Sequence, residues 1–221
     1  MKRETHLRSY YGSHDTSNKV RKQIQWSRNI KDAVWTEIVT EKIRKQKELL
    51  EYLGKEESGV LQSYLNEICW NDETNREGHA AKVYFNALFG LAFTRTEDCV
   101  VNAALNYGYS IILSAFTREI VAGGYITQLG LFHDNMFNQF NFASDLMEPF
   151  RILVDREVVN MAVTEFAQEE KMRLVNILNQ EVIIDGKKQY VNNAVKIYCK
   201  SVFDALNEND SALIRFYQFE L

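Results

Sequence analysis

The chain has 221 residues, of which 46% are hydrophobic and 12% aromatic, so it can bury a sizeable core and is not of the disordered class. One proline and ten glycines are too few turn residues for an all-β sandwich or barrel. Cys69, Cys99 and Cys199 have no C-x-x-C spacing, which argues against a disulfide framework or a zinc site and is typical of a reducing cytoplasm. The composition therefore predicts a mainly α-helical, cytoplasmic protein.

The formal net charge of −4 is unevenly distributed along the chain. Residues 1–47 carry twelve Lys and Arg against five Asp and Glu, a local net charge of +7. The other residues carry fourteen against twenty-five, a local net charge of −11. This segregation is compatible with a basic surface for nucleic acid, and equally with a solvated basic helix face.

The first elements follow from the spacing of apolar residues. Residues 1–17 are polar and are expected to form an extended lead-in to one helical domain over residues 18–221. Apolar residues at helical spacing predict a long helix over residues 18–53, bent or broken at residues 26–30. A short helix over residues 60–68 follows.

The middle of the chain has one capping signal and one strongly apolar stretch. Thr74-Asn-Arg-Glu77 has the T-x-x-E form of a capping box and predicts a helix that ends at Gly90. Residues 98–122 are apolar on most faces but contain charged and amide residues, which predicts a buried central helix and not a membrane span. The remaining predicted elements are a polar and aromatic segment (125–143), helices (149–162 and 165–179), a β-hairpin near residues 182–191 with a type I′ turn at Asp185-Gly186, and a last helix (191–207).

Four polar side chains beside apolar helix faces are candidates for chemistry: Glu77, His133, Asp145 and Glu148. His133 lies in a mainly apolar stretch, where an imidazole needs a partner. Asp145 and Glu148 are three residues apart and so share one side of a helical turn. Two or three carboxylates with one imidazole form a hard, mixed site that suits Mn²⁺ or Mg²⁺ better than zinc.

Each candidate also has an ordinary structural interpretation. Glu77 would complete a capping box with Thr74, and Asp145 and Glu148 would do the same for the next helix. His133 would be a hydrogen-bonded core histidine. Spacing alone does not decide between these interpretations and a metal site.

Several longer motifs occur in a recognisable order. They are Tyr10–Ser17, Gln23–Trp26, Asn75–Gly90, Asn102–Tyr109, Thr127–His133, Phe140–Arg151 and the closing hairpin and helix. In this order they resemble the CRISPR-associated Cas1 family, the integrase of spacer acquisition, in its type II form. The similarity extends over nearly the whole chain.

The resemblance implies a metal-dependent DNA endonuclease and integrase that uses Mg²⁺ or Mn²⁺. The 3′-hydroxyl of a prespacer would attack a phosphodiester in the repeat of a CRISPR array. Glu77, His133 and Glu148 fall where the family has its catalytic metal ligands, and Asp145 falls at a supporting acid. The implied partners are prespacer and repeat DNA, the Cas2 protein and, in the full-length family, a second copy of the chain.

The resemblance also implies DNA-binding residues and a missing domain. Lys82 and part of the basic first helix become candidates for phosphate contacts, although an exposed basic residue is equally a solubilising charge: Lys82, Lys19, Arg21, Lys22 and Arg28. The family has an N-terminal β domain of roughly 70 residues, which is expected to be absent here because the motifs start at Tyr10. Alternative functions are a non-catalytic helical DNA-binding or assembly module left by that loss, and a helical scaffold.

Overall fold

The structure, a computed structural model, describes residues 15–219. Its helices are α1 (Thr16–Gln25), α2 (Arg28–Tyr52), α3 (Ser58–Asn66), α4 (Arg76–Phe89), α5 (Val100–Ala122), α6 (Asn141–Leu146), α7 (Arg151–Met161), α8 (Gln168–Val175) and α9 (Val191–Glu208). Its strands are β1 (Glu181–Ile184) and β2 (Lys187–Tyr190). Short 3₁₀ turns lie at Trp70–Asp72, Glu148–Phe150, Asn176–Asn179 and Ser211–Leu213. The predicted mainly α-helical class is confirmed.

The predicted break in the first long helix is confirmed and separates α1 from α2. The Ser27 hydroxyl accepts a hydrogen bond from the Ile30 N–H at 3.3 Å, so Ser27 is the N-cap of α2. Trp26 packs at the bend between α1 and α2, with its ring centroid 5.4 Å from that of Tyr125 and 5.7 Å from that of Phe142. A local capping signal and an aromatic contact therefore fix the break together.

The predicted lead-in is wrong at Thr16 and Ser17, because α1 begins at Thr16. The backbone carbonyl of Asp15 accepts the N–H groups of Asn18 and Lys19 at 2.9 and 3.1 Å, which closes the first turn. Polar residues can form this turn because it lies at the surface and has no face that must be buried. Residues 1–14 of the predicted lead-in lie outside the described residues.

The buried side chain of Gln23 forms hydrogen bonds that join helix α1 to the segment that precedes His133. The Gln23 amide donates to the carbonyls of Ile126 and Leu129 at 2.9 and 3.2 Å and accepts from the Ile126 N–H at 3.0 Å. Backbone groups outside regular structure need such partners when they are buried. The basic first helix therefore packs against the chain segment that leads to the candidate site.

Helices α2, α5 and α9 supply most of the core. Helix α2 contacts α3, α4, α7, α9 and the 3₁₀ turn at Glu148–Phe150, so side chains from its middle reach the centre of the fold. Burying one large apolar side chain of this kind contributes about 1.5–3 kcal/mol to the free energy of unfolding. Fully buried examples are Val34, Ile38, Ile43 and Leu49 in α2, Leu105, Ile112 and Phe116 in α5, and Val195, Tyr198 and Val202 in α9.

The apolar stretch at residues 98–122 forms α5, as predicted, but the helix buries only one face, and its opposite face is exposed at Ala103, Asn106, Ser110, Ser114 and Arg118. No helix within residues 15–219 is long and apolar enough to cross a membrane. The predicted hairpin is also confirmed: Ile184 pairs with Lys187, and Asp185 and Gly186 both have positive φ, at 54° and 69°. Positive φ at both central residues is the requirement of a type I′ turn.

The C-terminal segment contacts both helix α2, in the centre of the fold, and the 3₁₀ turn that contains Glu148. Gln218 forms a β-bridge with Ile183. The buried Tyr217 donates its hydroxyl hydrogen to the carbonyl of Pro149 at 3.0 Å, and its own carbonyl accepts from Lys45 Nζ at 2.6 Å. The position of Glu148 therefore depends on contacts with residues about 70 positions later in the chain.

Several predicted boundaries differ from the structure. Helix α3 begins two residues earlier than predicted, and α6 lies partly in a segment predicted to be irregular. Buried Asn141 starts α6 because its amide donates to the carbonyls of Gln128 and Asn135. Helix α8 begins three residues later than predicted, where the Glu170 carboxylate accepts from the Ala167 N–H at 2.9 Å. These long-range and capping bonds are not visible in the apolar spacing.

Replacing Gly108 by alanine is expected to lower the free energy of unfolding by about 1–3 kcal/mol, which urea denaturation measures. A Cβ at this position would overlap the side chain of Val154 and come within 3.3 Å of Leu174, where α5 packs against α7 and α8. Gly59→Ala is the control, because a Cβ there meets nothing within 4 Å. A Gly108→Ala variant as stable as the parent would contradict this packing.

Candidate functional site

Glu77 lies in the first turn of α4, and the predicted capping box with Thr74 is wrong. The buried carboxylate of Asp72 caps the helix instead, accepting the N–H groups of Arg76 and Glu77 at 2.7 and 3.0 Å. Asn75 enters the helix with a left-handed φ of 51° and makes no side-chain cap. Because Asp72 takes the capping role, the Glu77 side chain is free to form an ion pair with Lys42.

Glu148 stands in the 3₁₀ turn between α6 and α7 and is 4% exposed. Its carboxylate is paired with two cations, Lys42 Nζ at 2.5 Å and Arg151 Nε at 3.0 Å. Burial by itself raises the pKa of Glu148, but Arg151 and Lys42 outweigh burial and lower it to about 2. The predicted capping role is therefore wrong for Glu148, whose side chain turns to these cations.

Lys42, from the middle of α2, connects the two glutamates. Its ammonium group is in ion-pair contact with Glu77 Oε1 and Glu148 Oε2, so these oxygens cannot lie farther apart than two ion-pair lengths. Burial alone lowers the pKa of Lys42, whereas the charges of Glu148 and Glu77 raise it above its ordinary value. Lysine is rarely buried unless paired, and here both partners are candidate site residues.

Asp145 is fully buried and organises the segment that carries His133. Its carboxylate accepts the backbone N–H groups of Leu131, Phe132 and His133 at 2.6, 3.2 and 3.1 Å, and it contacts His133 Nδ1 at 2.5 Å. Gly130 is required beside it, because a Cβ there would lie 2.7 Å from Asp145 Oδ2. The capping interpretation of Asp145 is thus wrong, since its partners belong to a distant loop.

His133 is oriented from two sides. The hydrogen bond to Asp145 is the largest cause that raises its pKa; burial opposes this, and Asp145, Glu148 and Glu77 add to the increase. Trp35 stacks on Phe132 with ring centroids 4.5 Å apart and meets the His133 ring edge-on at 5.8 Å. With Nδ1 held by Asp145, the imidazole presents Nε2, which has no hydrogen-bond partner among residues 15–219.

The structure thus brings the predicted candidates to one region of the fold. Glu77 and Glu148 share the Lys42 ammonium, and both act electrostatically on His133. As the side chains are placed, no three His, Cys, Asp or Glu groups in the described part of the chain are close enough to hold one metal ion. The cation in contact with the two glutamates is Lys42.

A cavity of about 220 Å³ adjoins these residues. Besides the two glutamates and Lys42, its wall includes Arg95, Arg151, Gln46 and Asp155. Sequence analysis did not single out these residues or Lys42. The sequence carried no signal for Lys42 and Gln46, because both lie in a run of mainly charged and amide residues over 41–48 and only their burial in the fold distinguishes them.

Asp155 is a buried carboxyl group on the cavity wall. The hydroxyls of Tyr84 and Tyr109 donate to its oxygens at 3.0 and 2.5 Å. Burial is the largest influence and raises the pKa of Asp155 to about 6, although both hydrogen bonds and Arg151 oppose this increase. A carboxyl group that titrates close to neutral pH therefore lies at the edge of the site.

Asp155→Asn is expected to remove one component of the pH dependence of stability. A folded-state pKa of about 6 against an ordinary value of 3.8 means that the native state binds more protons between these two pH values. This component of the unfolding free energy therefore decreases as pH rises through that window, by about 3 kcal/mol in total. Urea denaturation from pH 4 to 7 should show the difference between parent and variant changing by this amount; a constant difference would contradict the assignment.

The residues predicted to bind DNA lie at the surface or near it. Lys19, on α1, is half-buried and 3.6 Å from Asp15, and Arg28 pairs with Asp32 at 2.7 Å. The exposed remaining candidates are Arg21 and Lys22 on α1 and Lys82 on α4. Their contact with phosphate stays a prediction.

The fold and site define a class of protein: a mainly α-helical domain in which two glutamates share a buried lysine beside an arginine-lined cavity and act electrostatically on a carboxylate-oriented histidine. Residues 2–183 match the family model described as CRISPR associated protein Cas1. The chain belongs to the Cas1 family. Its assignment to type II stays a prediction.

Curated relatives agree with this family. The chain is 35% identical over 169 residues to the CRISPR-associated endonuclease Cas1 of Neisseria meningitidis serogroup C (strain 8013), covering 74% of this chain and 56% of the relative. It is 27% identical over 184 residues to a CRISPR-associated endonuclease Cas1 of Francisella tularensis subsp. novicida, covering 72% and 58%. The chain thus spans just over half the length of these relatives.

Solved structures share the fold. A casposase bound to integration product has a TM-score of 0.75 at 18% identity, covering 88% of this chain and 70% of that one. A partial Cas6-RT-Cas1–Cas2 complex has a TM-score of 0.76 at 18% identity, covering 95% and 76%. A Cas1 protein from Thermotoga maritima has a TM-score of 0.71 at 16% identity, covering 87% and 73%.

Proposed function

We propose that this chain is the catalytic domain of a divalent-metal-dependent DNA endonuclease and integrase that inserts prespacer DNA into a CRISPR array. One observation carries the proposal: in a chain of the Cas1 family, carboxylates from two distant segments meet at one buried cation beside an oriented imidazole. Glu77, His133 and Glu148 are the proposed catalytic metal ligands, and Asp145 is the supporting acid.

The side chains fit a hard divalent cation such as Mg²⁺ or Mn²⁺. Glu148 Oε2 is buried and, among the described residues, has no hydrogen-bond donor aligned with it, although Lys42 is in ion-pair contact. Asp145 engages Nδ1 of His133 and so leaves Nε2 for a ligand, the usual arrangement of a carboxylate behind a metal-binding histidine. Two carboxylates and one imidazole favour these metals over zinc.

The proposed reaction exchanges one phosphodiester bond for another. The 3′-hydroxyl oxygen of the prespacer forms a new bond to phosphorus, the bond from phosphorus to a 3′-oxygen of the repeat breaks, and the hydroxyl proton is balanced by protonation of that leaving oxygen. Cleavage uses water in place of the 3′-hydroxyl. The divalent cation supplies charge stabilisation for the phosphoryl oxygens.

The residues of the cavity wall have a separate task, which is to bind the phosphate. Arg95, Arg151 and Gln46 border the cavity next to the glutamates. Arg151 is held by Glu148 and also lies over the Tyr109 ring, 4.7 Å from its centroid, so its position is fixed before substrate arrives. DNA affinity from such contacts should fall as salt concentration rises.

The proposed partners are prespacer and repeat DNA, the Cas2 protein and a second copy of the chain. The similar structures described as a casposase bound to integration product and a partial Cas6-RT-Cas1–Cas2 complex support the first two. A cytoplasmic location is also proposed, since Cys69, Cys99 and Cys199 are free thiols.

Strand transfer and cleavage of branched DNA in the presence of Mn²⁺ test the proposal. Activity is expected in the parent chain and in Glu181→Gln, an exposed carboxylate change at the start of β1, and is expected to be lost in Glu148→Ala. Salt-sensitive DNA binding without turnover would overturn the enzyme assignment in favour of a binding or assembly module. No retention on DNA or heparin at low salt would favour a helical scaffold.

A further inference from the structure

Two lysines of α2 are buried, and their surroundings differ. Lys45 is 2% exposed, donates to the carbonyl of Tyr217 at 2.6 Å, pairs with Glu41 at 3.1 Å and lies 4.0 Å from the centre of the Tyr217 ring. These contacts hold the C-terminal segment onto α2. Lys42 is 9% exposed and has the two candidate glutamates as its ion-pair partners.

The position of Lys42 offsets the electrostatic repulsion between Glu77 and Glu148. Glu77 and Glu148 face one another in a largely buried region, and two carboxylates so placed repel each other unless a cation lies between them. The ammonium group neutralises both at once. A divalent cation that binds the same oxygens must take over these contacts, because two cations in contact with one carboxylate oxygen repel each other.

Lys42 has room to move when that exchange occurs. Its side chain is a flexible four-carbon stem, and it borders the 220 Å³ cavity together with Gln46, one turn further along α2. Arg151 lacks this freedom because it is held between Glu148 and the Tyr109 ring.

We propose that Lys42 is an internal counter-cation, which holds Glu77 and Glu148 together in the metal-free protein and competes with the divalent cation for them. Lys42 therefore weakens metal binding and stabilises the metal-free fold. This inference rests on the proposed function, because it assumes that these glutamates are metal ligands.

Calorimetric titration of the full chain with MnCl₂, together with thermal melts, tests the inference. Lys42→Met, which keeps the length and removes the charge, is expected to melt at a lower temperature without metal and to bind Mn²⁺ about tenfold more tightly or better. Lys45→Met is the matched control: it removes a buried charge from the same helix and should also lower the melting temperature, but its Kd for Mn²⁺ should equal that of the parent. Lys42→Arg keeps the charge and should not tighten binding.

The outcomes separate the two proposals. If the parent binds Mn²⁺ through Glu77 and Glu148 but Lys42→Met binds it equally or more weakly, the counter-cation role is overturned and the metal site stands. If neither protein binds Mn²⁺, both proposals are overturned. If Lys42→Met is unfolded without metal, folding on addition of Mn²⁺, followed by circular dichroism, supports the role; failure to fold at saturating Mn²⁺ overturns it, as does tighter binding by Lys42→Arg.

Discussion

Glu148→Gln is expected to destabilise the metal-free protein by about 3–5 kcal/mol, because it leaves the buried Lys42 and the partly buried Arg151 without their shared carboxylate. For a chain of this size each kcal/mol shifts the melting temperature by roughly 2–4 °C. The variant should therefore melt roughly 6–20 °C below the parent. It should also lose the stabilisation by Mn²⁺ that the proposed metal site requires.

The control for this loss is Glu157→Gln, which makes the same chemical change in another ion pair. Glu157 contacts Arg173 at 2.8 Å, but the Arg173 side chain is 44% exposed and can be solvated when its partner is lost. A smaller decrease in melting temperature is expected there, with the response to Mn²⁺ unchanged. If Glu148→Gln melted with the parent protein, the ion-pair network around it would not be as described.

Asp145→Asn is expected to lower both the free energy of unfolding and the affinity for Mn²⁺. The change keeps the shape of the side chain. The carboxylate of Asp145 accepts three backbone N–H groups and contacts His133 Nδ1, whereas an amide has one accepting oxygen and one donating NH₂ group and cannot make all of these contacts. Hydrogen bonds to a charged group contribute about 1.5–3 kcal/mol each, so a loss of at least about 2 kcal/mol is expected. Affinity for Mn²⁺ should fall about 10- to 100-fold as His133 loses its orientation.

Urea denaturation and titration with Mn²⁺ measure these two effects of Asp145→Asn. The neighbouring change Asp134→Asn is the control, since Asp134 is exposed in the same loop. Both quantities should stay at the parent values in this control. Parent-like Mn²⁺ affinity in Asp145→Asn would contradict the role of Asp145 in orienting the imidazole.

The parts of the fold that local chemistry determines were predicted correctly. The hairpin turn at Asp185-Gly186 follows from two residues that tolerate positive φ, and the break before α2 follows from Ser27 as an N-cap. The start of α4 was misassigned because Thr74 and Glu77 have the spacing of a capping box. The buried Asp72 caps the helix in their place, through a left-handed turn at Asn75 that the spacing does not reveal.

The sequence supplied candidate residues for the site, which stay a prediction, but it did not reveal the ion pairs that these residues form. Family resemblance pointed to Glu77, His133 and Glu148, whereas spacing alone left the capping interpretations open. Lys42 lies 35 positions from Glu77 in the sequence and 106 from Glu148, and this contact depends on the packing of α2 against α4 and the 3₁₀ turn. Ion pairs between residues so far apart in the sequence arise from the tertiary fold, so a local sequence pattern does not reveal them.

The proposed function requires that Glu77, Glu148 and His133 together hold one divalent cation. A crystal structure of the chain grown with MnCl₂, with anomalous diffraction data, tests it most directly. We expect one anomalous peak at coordination distance from a carboxylate oxygen of each glutamate and from His133 Nε2, with the Lys42 ammonium displaced from at least one glutamate. Full occupancy of Mn²⁺ elsewhere, with both Lys42 ion pairs intact, would contradict it.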